Sequence, residues 1–157
     1  QLVVFVEMRN DLAVNQLFRE VFMYNFQKLL GIPFLDGGRD LKRGLDCYGL
    51  AMVVFNQMGI EIPEYYASAF NDQAVSNQID KVKNIEWVQL EKEALSVPCL
   101  ILMKFNSNLE NHVGVYIGEG KFIHCRNPIG VNIDRIESPA WRHRIVGFYR
   151  LKGEEDE

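Results

Sequence analysis

The first regular pattern of apolar residues lies near the N-terminus. Apolar residues recur there every three or four positions: Val14, Leu17, Phe18, Val21, Phe22, Phe26 and Leu29. This spacing is typical of one face of an amphipathic helix, and Gly31 and Pro33 are residues that commonly end one. We therefore predict a helix over residues 11–30, capped by Asn10 or Asp11.

A second apolar run predicts a second helix. It extends from Cys47 to Met58 and is followed by Gly59, so Cys47 falls in the first turn. Residues 60–85 are more polar and contain turn-forming pairs. They are interpreted as a surface excursion with a short helix near 72–80.

The second half of the chain changes to short runs with alternating apolar and polar residues. Six such runs predict strands: 86–90, 100–105, 112–117, 121–125, 131–133 and 146–151. Helices followed by consecutive strands favour an α+β fold, with N-terminal helices packed on an antiparallel β-sheet.

Composition places the chain among ordinary globular proteins. It has 157 residues and 48% hydrophobic residues, so we predict a single domain over 1–157, with 1–7 as an extension and 152–157 as an acidic tail. A net charge of -4 argues against a nucleic-acid partner. The apolar runs are too short to span a membrane, and the N-terminal residues do not resemble a signal peptide.

Residues 112–125 predict a β-hairpin that carries two histidines. A register centred on Gly118 places His112 directly opposite His124 and gathers the alternating apolar residues on the opposite face. A two-residue turn at Glu119 and Gly120 would instead separate the histidines and mix the two faces. The apolar pattern favours the register centred on Gly118.

Cys47, His112 and His124 form a candidate catalytic set. A helix N-terminus can lower the pKa of a cysteine thiol, so Cys47 is the predicted nucleophile, with His112 as the base and His124 orienting it. Asp46 would cap the helix, and the Cys47 backbone N–H would contribute to an oxyanion hole. The histidine face also carries Tyr116.

Each of these residues also has an ordinary structural interpretation, as core or surface packing. A zinc site built from the same cysteine and histidines is disfavoured because the sequence has no second close pair of ligands. No metal or cofactor is therefore expected.

Two segments resemble a known family. LGIPFLDGG at 30–38 and LDCYGL at 45–50 are similar to the L-G-x-P-Y-x-x-G-G and x-D-C-S-G-L signature of NlpC-type papain-like cysteine peptidases. HVGVYIG at 112–118 and FIH at 122–124 resemble the H-V-G-I-Y-x-G and F-I-H segments of that family. The end of the chain, from Trp141 to Arg150, is similar to members associated with phage tails and prophages.

The resemblance implies a papain-like α+β fold and hydrolysis of an amide bond in the peptide part of bacterial peptidoglycan, typically between D-glutamate and diaminopimelate or lysine. It assigns the nucleophile to Cys47, the base to His112 and the third polar position to His124. It also implies peptidoglycan peptides and phage tail proteins as partners, and a place in a phage tail or the bacterial cytoplasm, with action on the cell wall.

Two departures from the family pattern lie beside the predicted site. Tyr48 replaces a serine that, with the preceding aspartate, helps relatives to hold the free amine of short trimmed peptides. Phe34 replaces a tyrosine whose hydroxyl lies near the active site. Asp46, Tyr48, Phe34 and Tyr116 are therefore the predicted substrate-binding or oxyanion positions. The departures leave open one alternative, a phage tail or assembly component with the same fold. A second alternative, an acyltransferase or amidase, is implied by permuted relatives of this fold, although the order Cys then His follows the hydrolase arrangement.

Overall fold

A computed structural model describes residues 12–156. The chain divides into two units, residues 1–30 and 31–157, and helix α1 (Leu12–Leu29) belongs to the first. Its bounds agree with the predicted 11–30, while the predicted caps Asn10 and Asp11 and the extension 1–7 lie outside the described residues. The single domain over 1–157 stays a prediction.

The second unit begins with a small hairpin and two helices. Strands β1 (Arg39–Asp40) and β2 (Gly44–Leu45) pair antiparallel, and helix α2 (Cys47–Gln57) follows directly. Helix α3 (Asp72–Val82) lies in the segment interpreted as a surface excursion. The short helix predicted near 72–80 is confirmed as α3, in which only Ser76 is buried and Val75, Ile79 and Val82 line a cavity.

Six strands form one antiparallel sheet. They are β3 (Trp87–Leu90), β4 (Cys99–Met103), β5 (His112–Gly118), β6 (Lys121–Arg126), β7 (Gly130–Arg135) and β8 (Ile145–Leu151). Their order in the sheet is β3-β8-β4-β5-β6-β7. The α+β fold expected from the sequence is confirmed.

The β5–β6 hairpin has a different register from the predicted one. His124 pairs with Gly114, and Gly118 pairs with Lys121 around a two-residue turn at Glu119 and Gly120. Both turn residues have positive φ, as this tight turn requires. A bulge between Tyr116 and Gly118 then shifts the pairing by one residue.

The predicted two faces nevertheless survive. Between Gly114–Tyr116 and Phe122–His124 the pairing differs from the predicted one by two residues, and side chains alternate with period two, so these residues keep their faces. His112 therefore meets His124 diagonally, at a short distance given below.

The sheet is buried on both sides. Helix α2 packs against β5 and β6 on one side. The other side carries a buried cluster of Cys99, Ile101, Met103, Phe122, Ile136, Trp141 and Phe148. The three cysteines are all free thiols.

The acidic end of the chain is held to the sheet. Glu154–Asp156 form a short 3₁₀ turn, and the Asp156 carboxylate accepts hydrogen bonds from the Arg150 guanidinium at 2.6 and 2.8 Å. Within the described residues, no helix is long and apolar enough to cross a membrane.

Candidate active site

Asp46 fixes the start of helix α2. As the N-cap residue, it accepts hydrogen bonds from Gly49 N at 2.7 Å on Oδ1 and from Gly37 N at 3.1 Å on Oδ2. Arg39 Nη1 also donates to Oδ1 at 2.6 Å. Because both carboxylate oxygens already have donors, Asp46 ties the 37–39 loop to the first turn of α2 and thereby positions Cys47.

Cys47 is partly exposed and its sulfur faces strand β5. Backbone N–H groups of Val113 and Tyr48 donate to the sulfur and lower the pKa of the thiol. Burial, reinforced by the negative charge of Asp46, outweighs them and raises this pKa to about 11. The sequence-based expectation of a lowered pKa is wrong for the protein without substrate, because burial and Asp46 act against the helix N-terminus.

The predicted base His112 is the first member of a chain of hydrogen-bonded side chains that continues through His124 to Asp134. His112 Nε2 lies 2.9 Å from His124 Nδ1, and His124 Nε2 lies 2.7 Å from Asp134 Oδ2. Asn132 Nδ2 donates to the same Asp134 oxygen at 2.8 Å. His112 and His124 are buried, whereas Asp134 is partly exposed.

This chain of contacts assigns the tautomers. A carboxylate only accepts hydrogen bonds, so His124 Nε2 carries the hydrogen and His124 Nδ1 is the acceptor when the ring is neutral. His112 Nε2 must then donate to His124. The lone pair of His112 is left on Nδ1, where a base can receive a proton.

Burial favours the neutral form of both histidines. Burial lowers the pKa of His112 well below its ordinary value, and the charges of His124 and Arg126 act in the same direction. Burial also lowers the pKa of His124, although Asp134 partly opposes it. The raised pKa of Cys47 and the lowered pKa of His112 both favour the neutral forms, so the proton transfer belongs to the reaction and not to the resting state.

Cys47 and His112 line one cavity of about 100 Å³. Asp46 and Tyr48 contribute to its wall, and much of the rest is apolar: Val75, Ile79 and Val82 from α3, with Trp87, Leu100, Leu102 and Tyr149 from the sheet. The structure thus brings the predicted nucleophile and base to one concave surface.

The other predicted substrate-binding residues are distributed differently. Tyr48 Oη donates to Pro63 O at 2.5 Å, so its hydroxyl holds the loop after α2. Phe34 packs edge-on against Phe70 and does not line the cavity. Tyr116 Oη accepts from Gly120 N at the hairpin turn, also away from the cavity.

Asp134 is the site residue that sequence reasoning missed. Strand β7 pairs with β6 so that Phe122 faces Asp134 and His124 faces Asn132. The alternation Val131, Asn132, Ile133, Asp134 was the available signal, because it places two polar residues on the histidine face. Among residues 12–156, no group of three His, Cys, Asp or Glu side chains is arranged to hold a metal ion.

Comparison with known proteins decides the family. The NlpC/P60 family model matches residues 31–150, which contain every site residue described above. The chain belongs to the NlpC/P60 family. This family consists of cysteine peptidases that hydrolyse peptide bonds of peptidoglycan, and the resemblance read from the motifs is confirmed.

Named relatives of this NlpC/P60 chain are cell-wall enzymes. It is 30% identical over 139 residues to the bifunctional muramidase/DL-endopeptidase CwlT of Bacillus subtilis, covering 86% of this chain and 37% of CwlT. It is 29% identical over 115 residues to the murein DD-endopeptidase/LD-carboxypeptidase MepS of Escherichia coli, covering 73% and 53%. The chain therefore spans about half or less of these relatives.

A solved structure supports the fold of the NlpC/P60 unit. The crystal structure of an NlpC/P60 family protein from Bacillus cereus matches with a TM-score of 0.61 and 24% identity, covering 84% of this chain and 39% of that chain. At this identity, the match shows a shared fold.

Proposed function

We propose that this protein is a cysteine peptidase that hydrolyses an amide bond in the stem peptides of peptidoglycan. The observation that carries the proposal is the placement of Cys47 and His112 on one cavity, with His112 held by His124 and Asp134. A thiol and an imidazole of fixed tautomer on one concave surface are the groups that nucleophilic catalysis requires.

In the first step, Cys47 Sγ attacks the substrate carbonyl carbon while His112 Nδ1 takes the thiol proton. The resulting imidazolium donates a hydrogen bond from Nε2 to His124, whose own Nε2–H is held by Asp134. The imidazolium then gives its proton to the nitrogen of the leaving amine as the carbon–nitrogen bond breaks. The acyl group stays on sulfur as a thioester.

In the second step, water hydrolyses the thioester. His112 takes a proton from the water, hydroxide adds to the acyl carbon, and the carbon–sulfur bond breaks. The proton returns to Cys47 and the thiol is regenerated. The backbone N–H of Cys47, at the first position of α2, is the proposed donor to the oxyanion in both steps.

For the bond, we propose the one between D-glutamate and the diamino acid. CwlT is named a DL-endopeptidase, and a second relative, 27% identical, is named a gamma-DL-glutamyl hydrolase from Bacillus subtilis. Because the Asp46 carboxylate is occupied by three donors, it is poorly placed to hold a free substrate amine. We therefore propose cleavage inside longer peptides.

The test is hydrolysis of purified peptidoglycan, with products identified by mass spectrometry. Cys47→Ala should abolish product formation, whereas the control Cys99→Ala should retain it because Cys99 is buried in strand β4. In single-turnover reactions, a thioester on Cys47 should be trapped by acid quenching. Product formation by Cys47→Ala would refute the proposal.

The apolar wall of the cavity favours one alternative, transfer of the acyl group to an amine or a lipid. Such a wall would suit an apolar acyl chain or acceptor better than water. Adding a primary amine to the reaction separates the two cases, since a transferase would release mainly the amide. Action in a phage tail or in the bacterial cytoplasm, and phage tail partners, stay predictions of the sequence.

A further inference from the structure

The indole ring of Trp141 contacts both members of the histidine pair, His112 and His124. Its centroid lies 4.7 Å from that of His124, with the two ring planes almost perpendicular, and 6.1 Å from that of His112. Phe122 contacts the ring of His124, and Phe105 contacts the ring of His112. Among residues 12–156, Trp141 is therefore the aromatic residue that joins the two histidines.

The ring of His124 is closely packed. Phe122, two residues earlier on β6, lies 4.6 Å away from it, centroid to centroid, and Trp141 contacts it from the segment before β8. A Cβ atom added at Gly114 would lie only 2.9 Å from Phe122 Cδ2 and 3.3 Å from His124 Cβ. Because His124 has no exposed surface, its ring cannot turn unless a neighbouring side chain moves.

The orientation of His124 decides whether the chain of hydrogen bonds exists. Nδ1 must face His112 Nε2 at 2.9 Å while Nε2 faces Asp134 Oδ2 at 2.7 Å. A half turn of the ring about its Cβ–Cγ bond would replace each of these nitrogens by a carbon, and a smaller tilt would lengthen one of the two contacts. Both hydrogen bonds therefore require one orientation of the ring.

Trp141 is itself held in place by other contacts. Its ring is stacked with that of Phe105, with centroids 5.5 Å apart. The guanidinium carbons of Arg126 and Arg144 lie 5.6 and 5.5 Å from its centroid, within the range of cation–π attraction. Arg144 N also donates to Trp141 O at 2.8 Å. Trp141 thus offers a fixed surface against which a histidine ring can be aligned.

Trp141 does not line the cavity that contains Cys47 and His112. It belongs to the buried cluster on the side of the sheet that faces away from helix α2. An effect of Trp141 on the reaction must therefore pass through the histidines. Such an effect should appear in kcat and leave KM almost unchanged.

We propose that Trp141 is a positioning residue that holds the histidine pair in the orientation required for proton transfer. The inference rests on the proposed function, because it assigns part of the support of the base to a residue outside the cavity. When Cys47 gives its proton to His112 Nδ1, the hydrogen on His112 Nε2 must still point at His124 Nδ1. A tilt of His124 would remove that acceptor and leave the imidazolium without support.

The first test needs no substrate. In the full chain with ¹⁵N-labelled histidine, the chemical shifts of the ring nitrogens report which nitrogen carries hydrogen. At pH 7, His124 should show a single tautomer with hydrogen on Nε2, and Trp141→Leu should convert it to a mixture. Phe148→Leu is the matched control, because Phe148 is buried in the same cluster but has no ring contact with either histidine in the described part of the chain. It should keep the single tautomer.

The second test is hydrolysis of L-alanyl-γ-D-glutamyl-meso-diaminopimelyl-D-alanine. Trp141→Leu should lower kcat about 10- to 100-fold, as expected when a catalytic group is slightly displaced, and should change KM less than about twofold. Trp141→Phe retains an aromatic ring and should restore most of kcat. Phe148→Leu should lower kcat less than about twofold per folded molecule.

Trp141→Met replaces Trp141→Leu if the latter does not fold, because methionine fills the space without a planar ring. A single His124 tautomer in the folded variant, a fall in kcat that Trp141→Phe does not restore, or an equal change in Phe148→Leu would overturn the positioning role. A tautomer mixture in Trp141→Leu, when the unaltered protein hydrolyses no stem peptide, would leave the role of Trp141 standing and refute the peptidase.

Discussion

Two aspartates stand at opposite ends of the candidate site and have opposite surroundings. Asp46 precedes the nucleophile, is buried, and its oxygens accept from Gly49, Gly37 and Arg39. Asp134 is partly exposed and contacts the ring of His124. The same side chain thus serves as a structural anchor at one end and as a partner of the histidine pair at the other.

The comparison teaches that the partners of a carboxylate, more than its distance from the nucleophile, decide its role. Asp46 is adjacent to Cys47 in sequence, but its carboxylate accepts hydrogen bonds only from structural groups. These are the backbone N–H groups of Gly37 and Gly49 and the side chain of Arg39. Asp134 lies 87 residues after Cys47 in the chain, yet only the ring of His124 separates it from the base His112. Variants of the two residues should therefore separate stability from catalysis.

The largest expected effect is on stability. Asp46→Ala removes the cap of α2 and one of the two acidic partners of the partly buried Arg39, so we expect a loss of about 2–3 kcal/mol in the free energy of unfolding. Chemical denaturation would measure it. Glu64→Gln is the control, because it removes an exposed partner of the same Arg39 and should cost less than about 1 kcal/mol. Equal losses would contradict the anchoring role of Asp46.

The next effect is on catalysis. Asp134→Asn should lower kcat by about 10- to 100-fold, because the imidazolium formed on His112 loses the charge that supports it through His124. Unfolding should change little. Kinetics on diaminopimelate peptide would measure the effect, with Asp80→Asn on helix α3 as the control for removing one charge. A fall in kcat matched by an equal loss of folded protein would contradict a positioning role.

The sequence predicted Asp46 as a site residue but did not predict Asp134, and the reason is physical. Asp46 was recognisable because helix caps and nucleophile motifs are local in sequence. Asp134 depends on the pairing of β6 with β7, which alternation alone does not align. Similarly, the faces of the β5–β6 hairpin were predicted correctly, but its register was not, because the bulge after Tyr116 compensates for the tight turn.

The remaining differences also arise from tertiary contacts. Helix α3 was predicted in a surface segment, and the sequence did not show that Val75, Ile79 and Val82 line the cavity. Tyr48 and Phe34 were grouped by their places in the motif, but Tyr48 bonds to Pro63 and Phe34 packs on Phe70. Local sequence predicts which helix or strand a residue belongs to, whereas the residue that its side chain contacts lies in a distant segment of the chain.

A smaller effect should appear in the pH dependence of stability. His112 and His124 have lowered pKa values in the folded protein, so the unfolded chain binds more protons below about pH 6.5. Stability should therefore fall on acidification from pH 7 to 5.5, by roughly 1 kcal/mol. His112→Gln should flatten this slope in denaturation curves, and the exposed His143→Gln should not. An unchanged slope in His112→Gln would contradict a neutral, buried His112.

The smallest effect concerns the reactivity of Cys47 itself. Burial and Asp46 raise its pKa to about 11, so iodoacetamide labelling of the free protein should be slow at pH 7 and should accelerate up to that pKa. Asp46→Asn removes a neighbouring negative charge and should raise the labelling rate at pH 9 about threefold.

Asp134→Asn is the matched comparison, since Asp134 contacts His124 and not the thiol. It should leave the labelling rate unchanged. Peptide mass spectrometry would locate the label, and folding of each variant would be verified at the same pH. Fast labelling of the unaltered protein below pH 8 would contradict the neutral thiol. An acceleration by Asp134→Asn equal to that by Asp46→Asn would remove the distinction between the two aspartates.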